Sequence, residues 1–109
     1  MKSYEDDAHI SIGQNAKEND ILFKNAKQND LWFHLASGSS CHVWLHIHDE
    51  NDINKQLNKQ LLYRCRQYVI ENSKCCSNAK VIYLEKKFLQ HDKEKAGTLI
   101  LKKKPQVLK

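Results

Sequence analysis

The stretch Asp30-Leu31-Trp32-Phe33-His34-Leu35-Ala36-Ser37-Gly38-Ser39-Ser40-Cys41-His42-Val43-Trp44-Leu45-His46-Ile47-His48 decides the fold. It holds both tryptophans and four of the six histidines. Two strands joined by a loop of small residues account for it. Side chains on a strand alternate between two faces. In the second strand Val43, Leu45 and Ile47 form one apolar face, and His42, Trp44, His46 and His48 form the other. Antiparallel pairing across Ala36–Ser40 then brings Trp32 near Trp44 and His34 near His42. The result is a sheet face of aromatic rings and imidazoles where solvent-facing strands usually carry Lys, Glu and Thr.

Working outward, His9-Ile10-Ser11-Ile12 alternates and reads as a strand ending at Gly13. Asn19 or Asp20 can cap a short helix over Ile21–Lys27. Asp49–Asp52 closes the hairpin and leads into a long helix from Ile53 to Asn72. Its stripe Ile53, Leu57, Leu61, Cys65, Tyr68 follows helical spacing. Lys80–Leu84 is a strand, a helical turn is expected around Phe88, and Thr98–Leu101 is a further strand. Lys102–Pro105 is a basic turn before a last short strand, Gln106–Leu108. The expected fold is α+β, a mostly antiparallel sheet with one long and one short helix. Residues 1–8 read as a flexible acidic end and residues 9–109 as a single domain. A chain of 109 residues buries roughly 65% of its unfolded surface, enough for a core without staples.

Charge is unevenly distributed. Residues 1–50 carry four Lys against eight Asp and Glu, a balance of −4; residues 51–109 carry a balance of +9. A basic half points to an anionic partner, of which nucleic-acid backbones are the commonest. No apolar run is long enough to span a bilayer, and Met1–Asp7 lacks the apolar core of a signal peptide. A cytoplasmic protein with reduced thiols and no membrane partner is expected.

Zinc needs four close ligands in paired spacings. Cys75 and Cys76 are adjacent, Cys65 falls on the apolar helix stripe, and His42 and His46 lie roughly 13 Å apart along one strand. Neither a metal nor another cofactor is expected. Cys41 and His42 are strand neighbours, so their side chains diverge and do not form a nucleophile–base pair. Asp30 near His46 reads as a salt bridge across the hairpin. No catalytic residue is assigned, and the chain does not read as an enzyme.

Nucleic-acid binding has the best support, because His and aromatic rings stack on unpaired bases while lysines neutralise phosphates. Candidate contacts are His34, Ser39, Ser40, His42, Lys74, Lys86, Lys87, Lys102, Lys103 and Lys104. The Ser37–Ser40 loop can present backbone N–H groups to a phosphate, or serve only as a turn. The competing reading is that a helix covers the Trp face and makes it core. A protein-interaction adaptor using the sheet face, and a DNA-binding module, remain alternatives.

Several blocks resemble one family. Gly13-Gln14-Asn15-Ala16-Lys17-Glu18-Asn19-Asp20 is similar to the G-R-N-x-x-x-N-D signature of the NFACT-R domain. Asp30–Leu35 is similar to its D-L-W-F-H-V strand, and Ser40–Val43 to its S-H-V turn. Tyr68–Lys74 resembles the end of its long helix, and Val81–Leu84 its V-x-Y-T strand. The blocks occur in order across about residues 9–101. The chain departs from the pattern at Gln14, where the family has a basic residue, and at Cys41, where it has Ser. Glu94–Gly97 is a shortened form of a Lys- and Gly-rich segment. The resemblance implies RNA binding, toward tRNA or ribosomal RNA, in ribosome-associated quality control or in small stand-alone proteins. It also implies tryptophans that serve as buried scaffold. No elongation activity is expected from this one domain. A ribosomal or quality-control protein is a further expected partner.

Overall fold

The computed structural model describes residues 2–5, 9–36, 40–46, 59–73, 80–95 and 98–108. Among them the chain runs β1 (Lys2–Glu5), β2 (His9–Gly13), α1 (Ala16–Asn25), β3 (Leu31–Leu35), β4 (His42–His46), α2 (Lys59–Asn72) and β5 (Val81–Glu85). A 3-10 turn (Lys86–Phe88), β6 (Leu89–His91), β7 (Leu99–Leu101) and β8 (Gln106–Leu108) complete it. Six strands form one sheet in the order β1-β2-β4-β3-β5-β8, and β6 and β7 form a separate hairpin. Every pairing is antiparallel. The chain is therefore α+β, as the alternation and helical periods imply. None of its described helices is long and apolar enough to cross a membrane.

Both faces of the sheet are apolar at the centre. Ile10, Ile12, Leu31, Phe33, Val43, Leu45 and Val81 face one side, where Leu61, Cys65, Val69 and Ile70 of α2 cover them. Trp32, Trp44, Ile82 and Leu84 face the other, where Leu22, Phe23 and Ala26 of α1 and Leu89, Leu99 and Leu101 of the hairpin cover them. Trp32 and Trp44 are cross-strand partners, the register expected from the loop. Trp44 is 0% exposed, so the aromatic face is core and not an open platform. Fully buried side chains of this size each contribute about 1.5–3 kcal/mol from removal of apolar surface. Burial pushes the Cys65 thiol up to about 12, against the weaker pull of Arg64, so it packs as a small hydrophobe.

Three local expectations are corrected. Helix α1 begins at Ala16, not Ile21, because Asn15 caps it and Glu18 reaches back to the residue before the cap. The Asn15 side chain accepts the Glu18 N–H at 2.9 Å, and the Glu18 carboxylate accepts the Gln14 N–H at 3.0 Å. That N–H holds the Glu18 carboxyl below its usual range. Residues 2–5 are not a loose end; they pair with β2 in the register Ser3↔Ser11 and Tyr4↔Ile10. Without them β2 would be an edge with unpaired backbone groups. Leu89–His91 is a strand paired with β7, beyond the turn expected at Phe88. The long helix is described from Lys59; Ile53 and Leu57 lie outside the described residues.

Gly13 sets how closely α1 approaches the sheet. A Cβ there would lie 2.2 Å from Asn19 Oδ1 and 3.2 Å from the Asn19 backbone nitrogen. Asn19 is buried, so its amide has little room to swing aside. Gly13→Ala should destabilise the fold by roughly 1–3 kcal/mol, the usual cost of overpacking. Urea unfolding measures it, and an unchanged midpoint would mean that α1 moves freely off β2.

Candidate nucleic-acid interface

The candidate contacts fall into two groups at opposite ends of the sheet. His34 pairs with Ile82 and Leu31 with Glu85 across β3 and β5. Lys86 follows Glu85, so the lysines begin about 13 Å along the strand from His34.

At the first end, His34 stacks on Trp32 with ring centroids 5.1 Å apart, and His42 meets Trp32 edge-on at 5.5 Å. The two imidazoles are 5.1 Å apart in a T-shaped arrangement. The sequence alternation therefore brings the pair together as expected. His42 is only 4% exposed, which leaves little of its ring for a base to stack on; His34 is half-buried. His34 Nδ1–H donates to the Leu35 carbonyl at 2.7 Å, which leaves Nε2 as the lone-pair nitrogen of the neutral ring. His42 Nδ1 is buried and has no hydrogen-bond partner among the described residues. Burial, with the neighbouring His34, pushes the His42 pKa down to about 3, and Asp20 opposes the shift. Burial also lowers His34, against the Leu35 hydrogen bond.

Ser40 is a loop clamp. Its hydroxyl accepts the Leu35 N–H at 3.2 Å and donates to the Cys41 carbonyl at 2.6 Å. Ser73, at the end of α2, accepts the Cys41 N–H at 3.1 Å. These bonds tie the hairpin loop to α2. Ser39 and Lys74 lie outside the described residues, as does most of the proposed phosphate-binding loop.

At the second end, two lysine segments distant in sequence converge. Lys87 Nζ lies 5.4 Å from the centre of the Phe88 ring, and Lys103 Nζ lies 4.6 Å from it. The Lys102 N–H donates to the Phe88 carbonyl at 2.8 Å and fixes the basic turn against the 3-10 turn. Lys102, Lys103 and Lys104 are exposed. Lys87 also pairs with Glu85 at 3.2 Å, an exposed contact that a phosphate can displace at little cost. Lys86 differs from its neighbour. Its ammonium donates to the Ala26 carbonyl at 2.5 Å and sits 5.0 Å from the Phe23 ring centre, closing the end of α1. Burial lowers its pKa, and Asp30 opposes that.

Among the described residues the centre of the sheet is covered on both sides, by α2 on one and by α1 and the hairpin on the other. Sequence reasoning also paired Asp30 with His46, and their side chains meet at 2.8 Å. It missed the contact of that pair with Ser11 and with β2, because the β2–β4 pairing joins segments more than thirty residues apart.

The depressed His42 pKa has a consequence for stability. The unfolded chain, with His42 near 6.5, binds a proton that the folded chain refuses until about pH 3. Stability from this group is complete above pH 6.5 and is lost as pH falls toward 3, with roughly 2 kcal/mol gone at pH 5. Urea midpoints should fall between pH 7 and pH 5, and His42→Phe should flatten the trend. The same slope in that variant would assign the effect to another group.

Comparison with known proteins fits this architecture. No curated protein sequence shows significant similarity to the chain. The C-terminal part of the fibronectin/fibrinogen-binding protein from Streptococcus suis has the same fold, with a TM-score of 0.78 at 24% identity. The match covers 94% of this chain and 40% of that one, so the present chain spans less than half of its structural neighbour. The model of the NFACT protein RNA-binding domain matches residues 1–103, and the chain belongs to that family.

Proposed function

We propose that the chain is a non-catalytic module that binds tRNA or ribosomal RNA in the cytoplasm, in translation or ribosome quality control. The observation that carries this reading is the convergence of Lys87 and Lys103 on Phe88. Two segments distant in sequence hold their ammonium groups over one ring, with Lys102 and Lys104 alongside. Single-stranded RNA is bound by this combination, lysines on phosphates beside an aromatic surface. Phosphate contacts fall to Lys87, Lys102, Lys103 and Lys104. Lys86 has a scaffold role through Ala26, and His34, His42 and Ser40 set the geometry of the hairpin.

Fluorescence anisotropy with tRNA and with a labelled single-stranded RNA tests the reading. The double variant Lys87→Ala/Lys103→Ala should weaken binding uniformly across sequences. On single-stranded RNA the log–log salt slope should become shallower by roughly 0.7 for each phosphate that the variant no longer neutralises. A single-stranded DNA of the same sequence measures what the 2′-hydroxyls contribute. No binding to either RNA at about 50 mM salt, where electrostatic attraction is favoured, would sink the proposal.

A further inference from the structure

Behind the 26–30 segment from Phe88 lies a cleft of about 330 Å³, between α1 and the end of the β2–β4 pair where His9 and His46 meet. His9, Ser11, Asn25, Lys27, Asp30 and His46 line it. Its inner wall is a fixed hydrogen-bond chain. The Asp30 carboxylate, 1% exposed, accepts the Lys27 N–H at 3.0 Å and the His46 Nδ1–H at 2.8 Å. A carboxylate there requires a donor, so the neutral imidazole keeps its proton on Nδ1. His46 Nε2 then accepts the Ser11 hydroxyl at 2.9 Å.

This serine–histidine–aspartate order matches a nucleophile, base and orienting group. Hydrolysis is nevertheless a poor fit. Ser11 is 6% exposed and sits on a strand with a neighbour on each side. The β2 N–H groups are engaged in those ladders and do not form an oxyanion hole. What the chain does achieve is to lock the His46 ring in place.

The locked ring builds a binding wall. His9 lies 4.6 Å from His46, centre to centre, with the rings tilted by 45°. Asn25 and Lys27 are exposed at the rim, and their side chains make no hydrogen bonds among the described residues. The site thus offers imidazole surface for a planar ring, an amide with both donor and acceptor, and a cation. A nucleotide has the matching parts: a base, its hydrogen-bonding edge and a phosphate. The volume is at the small end of ligand sites and suits one nucleotide rather than a duplex. The Asp30 carboxylate is 1% exposed and turned to its two donors, and the phosphate sits at the rim on the Lys27 ammonium.

The cleft also adjoins the lysine rim. The Lys86 N–H donates to the Asp30 carbonyl at 2.9 Å and the Lys87 N–H to the Gln28 carbonyl at 3.1 Å. One short segment therefore has the cleft on one side and the 3-10 turn on the other. We infer that the cleft takes a single unpaired nucleotide of the bound RNA, with its base against His9 and His46, its edge at Asn25 and its phosphate at Lys27. This inference rests on the RNA-binding reading above.

The test is an NMR titration of the full chain that follows the imidazole resonances of His9 and His46. The probes are AMP, inorganic phosphate and a six-nucleotide single-stranded RNA, with RNA anisotropy measured in parallel. AMP and the hexamer should shift both rings, and inorganic phosphate alone should not. Asn25→Ala and Lys27→Ala, both at exposed positions that leave the fold intact, should each weaken the AMP titration at least threefold. If anisotropy shows RNA binding while the two rings stay unmoved, or while both variants titrate like the parent, the cleft proposal is overturned and the RNA-binding reading stands. If anisotropy shows no RNA binding, both fall.

Discussion

The sheet is apolar at the centre of both faces, and the rest of the structure answers to that constraint. The cross-strand pair Trp32 and Trp44 makes the demand sharpest. Two indoles on one face need more cover than a single ten-residue helix supplies, so α1 and the β6–β7 hairpin share the task. On the opposite face α2 packs against Phe33, Val43 and Leu45, whose side chains are smaller than the indoles. The close seating of α1 needs Gly13, the Asn15 cap starts the helix on time, and Lys86 holds its far end. His91, on the hairpin, bonds Asp20 of α1 at 2.7 Å and joins the two covering elements.

The described residues that carry the family resemblance make contacts that hold the fold. Gly13 gives clearance, Asn15 caps, Asn19 packs against Gly13, and Asp20 holds His91. Trp32, His34 and His42 interlock, and Ser40 fastens the loop to α2. His42 Nδ1 has no hydrogen-bond partner among the described residues, which is destabilising in a core. Its edge-on contact with Trp32 and its T-shaped contact with His34 offset part of that penalty through ring–ring attraction.

The parts legible in the sequence were those set by local period. Alternation in residues 42–46 sorted the two faces, and pairing across the Ala36–Ser40 loop gave the hairpin register, including the tryptophan and histidine pairs. The apolar stripe of α2 was equally plain, with Cys65 fully buried on it. The start of α1 was legible too, in Asn15-x-x-Glu18, but Asn19-Asp20 offered a competing cap and the apolar run began only at Ile21. Lys87 over Phe88 is a local contact; Lys103 over the same ring is not. It depends on β6 turning back through β7, a pairing of short segments with weak individual signals. The cleft was illegible for a similar reason: Ser11, Asp30 and His46 come from three elements, and their meeting depends on β2 lying beside β4.

The division of charge along the chain changes meaning once folded. By sequence the first half is acidic and would repel a phosphate backbone. Several of its acids are engaged by the fold. Asp30 is buried between His46 and the Lys27 N–H, Asp20 bonds His91, and Glu18 bonds the Gln14 N–H. The lysines of the second half are engaged less in this way. Lys102, Lys103 and Lys104 are exposed, and the ion pair of Lys87 with Glu85 is a weak surface contact. An approaching polyanion near Phe88 thus meets the exposed side of Lys87, Lys102, Lys103 and Lys104, while Asp30, alone among the described acids, is buried.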